Sequence, residues 1–226
     1  MKRVVTPELL DEDLGTPQEI QSTLLDLRGI NQNFGGFTSV AAMLQAVARE
    51  SSSPHLSFLD VAGGTGELAD QVANALRKQD IHIRPTVLDR AVSHMSGNAL
   101  PVARAAGDAL ALPFRSNSFD VVGCNLFCHH LEPEELIRFL NEALRVSRLA
   151  VVASDLRRSL FHWLAAYAGW LTYRSRLTRN DAPASVRRAY TIEEIRSLAK
   201  RTRAARSEVR PYYFQRLGLI LWKAQP

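Results

Sequence analysis

Phe58-Leu59-Asp60-Val61-Ala62-Gly63-Gly64-Thr65-Gly66-Glu67-Leu68 decides how the rest of this chain is read. An apolar run closes on an acid, enters a glycine-dense turn and leaves it as a helical pattern. Glycines belong where a backbone turns with positive φ, or where a ligand sits against bare main chain. A turn of this kind also points the free N–H groups of a helix start into the space above the sheet. The stretch therefore reads as the floor of a nucleotide-cofactor pocket.

Working outward, the chain alternates strand and helix patterns. Residues 56–61 read as a strand, 67–77 as a helix and 81–88 as a second strand. A helix starting at Ala91 and a short strand near 101–105 follow. Phe119 to Leu126 is a buried-strand pattern, and Pro133 to Val146 is a helix with an acidic first turn, as the macrodipole favours. Residues 149–154 form another buried strand. Such alternation implies a parallel sheet covered by helices on both faces. Upstream, 16–50 reads as helical with a break at the Gly35-Gly36 pair. Downstream, 160–173 is aromatic and helical, and 174–188 is basic and loop-like. A short helix then begins at Thr191, with Glu194 completing a capping box. Residues 207–213 and 217–222 close the chain as a hairpin-like edge.

Composition sets the frame. The 226 residues suit one α/β domain with an ample core. No apolar run approaches the roughly 18 residues of a membrane span, and the N-terminus lacks a signal-peptide apolar region. The two cysteines, Cys124 and Cys128, are too few for a disulfide framework or a zinc site. The expectation is a cytoplasmic protein without a bound metal. The net charge of +5 is concentrated after Arg157. This field would suit nucleic acid, anionic lipid or an acidic substrate, yet no nucleic-acid motif accompanies it, and a solvated basic face is the plainer expectation.

The glycine turn alone leaves two cofactors open. Gly64-x-Gly66-x-x-Ala69 satisfies the dinucleotide pattern, and Asp89 stands 23 residues after Gly66, where a ribose-binding acid is expected. Three features favour a different cofactor. Asp60 precedes the turn, and a carboxylate there suits an ammonium or sulfonium while it repels a pyrophosphate. Gly107-Asp108-Ala109-Leu110-Ala111-Leu112-Pro113-Phe114 offers an acid for an exocyclic amine and apolar residues for a flat base. Ser118-Phe119-Asp120-Val121-Val122 then opens the next strand.

Over roughly 55–155 these features resemble the class I S-adenosylmethionine-dependent methyltransferases, particularly the group holding ubiquinone/menaquinone-type C-methyltransferases and small-molecule O-methyltransferases. The resemblance implies an α/β, Rossmann-like, seven-stranded and mostly parallel sheet with helices on both faces. It also implies a single domain over 1–226, with an N-terminal helical cap (1–50), a cofactor-binding core (55–155), a helical lid inserted after the fifth strand (157–190), and a terminal helix and strands (191–226). S-adenosyl-L-methionine is the implied cofactor. Asp60, Ala62, Gly63 and Gly64 then line its methionine end, Asp89 takes the ribose hydroxyls with Arg90 beside it, and Asp108 and Ala109 hold the adenine. Asn125 and Leu126 border the transferred methyl, while Arg28, Asn31 and Asn33 close from the N-terminal side. Val146-Ser147-Arg148 departs from the family by lacking the Pro-Gly-Gly turn before the fifth strand.

The acceptor side is read from Cys128-His129-His130-Leu131, which follows the fourth strand on the ligand-binding edge of the sheet. His129 and His130 are the candidate catalytic residues, one of them as general base toward a phenol or enol. The plainer alternative is that both pack or cap the next helix. The aromatic stretch at 160–171 suggests a flat acceptor that is phenolic, quinone-like or polyketide. Two other uses of that stretch are an ordinary packing helix and, over 160–188, a membrane-surface contact. Methylation at oxygen is favoured over carbon. The alternatives are a quinone-pathway C-methyltransferase, a nucleic-acid-directed protein, a NAD-linked enzyme and a non-catalytic cofactor-binding domain. Against the second, no Asn-Pro-Pro-Tyr-type motif follows the fourth strand, where Asn125-Leu126-Phe127-Cys128 stands.

Overall fold

A computed structural model of the chain describes residues 1–10, 14–91, 100 and 102–224. The elements run α1 (Pro17–Asn33), α2 (Gly36–Glu50), β1 (His55–Val61), α3 (Glu67–Arg77), β2 (His82–Asp89), β3 (Ala103–Ala106) and β4 (Phe119–Asn125). They continue with α4 (Pro133–Val146), β5 (Ser147–Leu156), α5 (Leu160–Ala168), α6 (Arg176–Arg188), α7 (Ile192–Ala199), β6 (Arg206–Tyr212) and β7 (Arg216–Trp222). The expected helix from Ala91 falls on 92–99, outside the described residues.

The seven strands form one sheet in the order β3-β2-β1-β4-β5-β7-β6. β1 to β5 pair in parallel, and β7 is antiparallel to both β5 and β6. The order reverses between β1 and β4, and the crevice above their C-terminal ends is where open α/β sheets bind ligands. The glycine turn lies at that point.

Successive side chains of β1 enter two different cores. Leu59 joins Val122, Val151 and Leu221 against Leu136, Phe139 and Leu140 of α4 and Ile195 of α7. Phe58 joins Val87, Val121 and Val152 against Val40, Met43, Leu44 and Val47 of α2 and Val72 and Leu76 of α3. This two-sided burial explains the nearly unbroken apolar strands in the sequence. It also places α2 in the core, so the cap expected over 1–50 reduces to α1 and the segment before it. The physical reason is the fully buried apolar face of α2.

The basic stretch expected as a loop over 174–188 is mostly helical. Ser175 caps α6 by accepting from the Leu177 N–H, while Asp26 of α1 accepts from the N–H groups of Arg174 and Ser175. Leu177 and Val186 are buried. The dense arginines hide this apolar side from a periodicity reading. Several arginines of the basic third serve inside the molecule: Arg158, 7% exposed, donates to the carbonyls of Met1 and Ala189 and pairs with Glu194. Thr191 and Glu194 form the expected capping box. No helix among the described residues is long and apolar enough to cross a membrane.

Gly29 lies inside α1, and a Cβ added there meets nothing within 4 Å among the described residues. Gly29→Ala should therefore stabilise the chain by about 0.5–1 kcal/mol through helix propensity and reduced unfolded-state freedom. Thermal unfolding followed by circular dichroism checks this as a rise of a few degrees. A lower melting temperature would mean that α1 needs glycine for another reason.

Candidate active site

A cleft of about 1170 Å³ opens above the C-terminal ends of β1, β2, β4 and β5 and is roofed by α1, α5 and α6. Its floor is the glycine turn. Ala62 (φ 56°), Gly64 (φ 53°) and Gly66 (φ 78°) all adopt left-handed backbone, which reverses the chain within a few residues. Ala62 carries that conformation at some energetic cost, as residues at ligand sites often do. The Ala62 N–H donates to the Leu88 carbonyl at 2.8 Å, tying the turn to β2. A Cβ at Gly63 would stand 2.7 Å from Asp60 Oδ2, so glycine lets the turn lie directly on that carboxylate.

Asp60 and Asp89 end neighbouring strands and line the cleft. Asp60 is 2% exposed, and its Oδ2 has no hydrogen-bond partner among the described residues. Burial, and then the charge of Asp89, pushes its carboxyl up to about 7. A buried, unpaired carboxylate facing a cleft suits a cationic ligand group. Asp89 accepts from the Gly64 N–H (2.9 Å) and the Ala91 N–H (2.9 Å). Arg90 is exposed beside it at the rim. On the next wall, exposed Asp108 accepts from the Leu110 N–H at 2.8 Å, holding the loop that presents Ala109.

Across the cleft, Arg28 pairs with Glu67 at 2.9 Å, joining α1 to the start of α3. Asn31 Oδ1 accepts from Asn125 Nδ2 at 3.0 Å. Both asparagines also accept from Arg216, whose Nε donates to the Phe34 carbonyl. Arg216 is 1% exposed, and burial lowers its guanidinium to about 10, partly offset by Asp155. This cation ties α1, β4 and β7 together in the cleft wall. Asn33, expected to help close the site, is exposed and lies outside the wall.

His129 and His130 sit on the 3₁₀ turn Cys128–His130 and both face the cleft. His129 is 2% exposed, and both of its ring nitrogens are engaged. Nδ1 meets Asp155 Oδ1 at 2.7 Å, and Nε2 stands 3.5 Å from Glu8 Oε1. Burial alone would lower its pKa, but Asp155 and then Glu8 override that and hold it well above the ordinary histidine value. This environment corrects the expectation that His129 is a ready general base, because an imidazolium between two carboxylates has no free lone pair for a proton. His130, whose side chain is 20% exposed, has Nε2 3.9 Å from Glu8 Oε2.

Two residues of this site carry little sequence signal. Glu8 and Arg216 reach the cleft from opposite chain ends, and no local motif marks either. Asp155 was more accessible to reading, since an acid at the C-terminal end of a buried parallel strand faces the ligand crevice.

Solved structures show the same architecture. The plantazolicin methyltransferase BpumL, in complex with a triazolic desmethylPZN analog and SAH, superposes with a TM-score of 0.70 at 13% identity, covering 96% of this chain and 95% of that one. Magnesium protoporphyrin IX methyltransferase (ChlM) from Synechocystis PCC 6803 with bound SAH gives 0.55 at 17%, covering 84% and 83%. The O-methyltransferase family 2 protein from Planctomyces limnophilus DSM 3776, in complex with apigenin, gives 0.62 at 19%, covering 93% of this chain and 63% of that one. At these identities the likeness establishes the fold alone, an architecture shared with these methyltransferase structures. Residues 58–149, from within β1 to the start of β5, match the family described as methyltransferase domain. Over residues 58–149 the chain thus carries a methyltransferase domain. A search of curated proteins matches no sequence to it.

Proposed function

We propose that this chain transfers a methyl group from S-adenosylmethionine to an oxygen atom of a small, flat, largely apolar acceptor. The observation that carries the reading is the two-ended cleft. One end is the acidic floor of Asp60 and Asp89. The other is walled by Leu24, Phe34, Ala166, Tyr173 and Phe214. Its volume exceeds the usual range for a single ligand and leaves room for two reactants. Among the structural neighbours, one is in complex with a triazolic desmethylPZN analog, one is named for magnesium protoporphyrin IX and one is in complex with apigenin.

In this reading Asp60 faces the cofactor's ammonium end and Asp89 its ribose hydroxyls. Arg90 stands at the rim, and Asp108 with Ala109 flanks the adenine. Gly63 and Gly64 provide bare backbone for close approach. The sulfonium methyl is what the bound cofactor supplies. Everything else is positioning, since an in-line displacement gains most from holding two reactants close and aligned. Asn125, fixed by Asn31 and Arg216, borders the transfer point. Arg28, by pairing with Glu67, holds α1 over the floor. The polar group of the acceptor end is Glu8, His129 and His130, where an acceptor oxygen would lose its proton.

Calorimetry with S-adenosylhomocysteine against NAD tests the cofactor, with binding expected only for the former. A panel of phenolic, quinone-like and polyketide acceptors, read by mass spectrometry, then tests the acceptor. An O-methylated phenol supports the proposal. A product methylated at carbon would replace it with the quinone-pathway reading, and absence of S-adenosylhomocysteine binding would overturn it.

A further inference from the structure

Glu8, His129 and His130 present one carboxylate and two imidazoles whose ligand atoms all lie within 4.8 Å of one another. We propose that they bind a divalent transition-metal cation at the acceptor end of the cleft. The proposal runs against the absence of a metal expected from cysteine count, since this donor set uses no thiol.

Four observations point the same way. First, the spacing is close to that of a ligand set. Tetrahedral zinc with bonds of about 2.0–2.1 Å places its ligands roughly 3.3 Å apart. Here Glu8 Oε1 is 3.5 Å from His129 Nε2, the other carboxylate oxygen, Oε2, is 3.9 Å from His130 Nε2, and one ligand atom from each residue falls within 4.8 Å of the others. Small side-chain rotations close the difference. Second, Glu8 Oε1 is buried with no hydrogen bond among the described residues, and its contact with His129 Nε2 at 3.5 Å is loose enough for a cation between the two to replace it.

Third, the far side of His129 is already arranged as in metal centres. Its Nδ1 bonds Asp155 at 2.7 Å, and Asp155 also accepts from the His129 backbone N–H. A carboxylate behind a ligating histidine fixes the ring and, once the incoming cation displaces the Nε2 proton to solvent, strengthens that nitrogen as a ligand. Fourth, the three groups come from a firmly docked frame. The N–H groups of Leu9 and Leu10 both donate to Asp181, and Arg3 donates to the carbonyls of Arg188 and Leu131. Arg3 and Arg188 approach the histidine turn through backbone carbonyls, at His129 and His130 respectively. Two imidazoles and a carboxylate suit zinc, iron, cobalt or nickel better than magnesium or calcium.

Three protein ligands leave one position open, and all three residues line the cleft. An acceptor hydroxyl bound there would lose its proton at neutral pH, as metal-bound water does. That consequence rests on the acceptor end proposed above, whereas the cation site itself does not.

The test uses the untagged full-length chain after chelator treatment, titrated calorimetrically with Zn²⁺ and spectroscopically with Co²⁺. One equivalent is expected, with a thermal-stability increase that scales with free metal. Glu8→Gln and His130→Gln each should weaken Zn²⁺ at least tenfold while the far-ultraviolet circular dichroism stays unchanged. Failure to take up a stoichiometric cation would overturn the proposal, as would uptake that Glu8→Gln leaves intact. Because no cofactor or acceptor is present in this titration, its outcome is separable from that of the methyl-transfer reading.

Discussion

Asp60→Asn is expected to make the chain more stable and less able to bind cofactor. The carboxyl of Asp60 sits at about 7 because burial and then Asp89 oppose its ionisation. The ordinary value is near 4. Between pH 4 and 7 the folded chain therefore holds a proton that the unfolded chain has released, so this group's contribution to stability falls as pH rises through that window and levels off above it. The full shift corresponds to roughly 4 kcal/mol at pH 8, an upper bound because a buried acid relaxes its surroundings. An amide at this position has nothing to ionise. The variant should melt several degrees higher at pH 8, with little gain at pH 4.

In the proposed reading the same charge also serves binding, because a cofactor ammonium near Asp60 would favour its ionised form. Affinity of the native chain for S-adenosylhomocysteine should rise by up to tenfold per pH unit between 5 and 7, then flatten. Asp60→Asn should lose about 1.5–3 kcal/mol of binding at pH 8, and its pH profile should lose this slope. Calorimetry at four pH values measures both effects. Native-like affinity in the variant at pH 8 would remove Asp60 from the cofactor site.

Gly123→Val should leave no folded protein, and Gly123→Ala should cost about 3 kcal/mol. Gly123 lies inside β4, paired with Asp60 on one side and Val152 on the other. A Cβ there would stand 2.7 Å from Val152 Cγ2, 2.8 Å from the Phe58 ring and 2.8 Å from the Val152 carbonyl oxygen. Side chains can turn aside, but the carbonyl belongs to the β4–β5 ladder and cannot move without loosening it. Over-packing of this kind costs about 1–3 kcal/mol per added group, and more when backbone must shift. For a chain of this size the alanine variant should melt roughly 6–12 °C lower. Circular dichroism melts check this, and an unshifted alanine variant would show that β4 and β5 can separate at no cost.

How legible each feature was follows from how local its cause is. The bounds of α3 and α4 were readable because the start and stop signals sit beside them: Gly66 before Glu67, and Pro133 with acids in the first turn. The basic stretch at 174–188 misled because α6 is held by distant groups. Asp26 accepts from the N–H groups of Arg174 and Ser175 just before it, and few of its buried residues are large apolar ones. The place of α2 was likewise hidden, since an apolar helix face does not announce whether it covers a cleft or a sheet.

The site divides in the same way. The stretch from Phe58 to Leu68, with Asp89 and Asp108 after it, was enough for the strand-turn-helix, the cofactor class and the parallel sheet, because backbone conformation, charge and alternation are written in neighbouring residues. Tertiary structure decided what His129 is. Only folding brings Glu8 from the N-terminal segment and Asp155 from the end of β5 to opposite sides of its ring. Only folding buries Arg216 against Asn31 and Asn125. Protonation and ligation depend on the charges within a few ångströms in space, and sequence order says little about those.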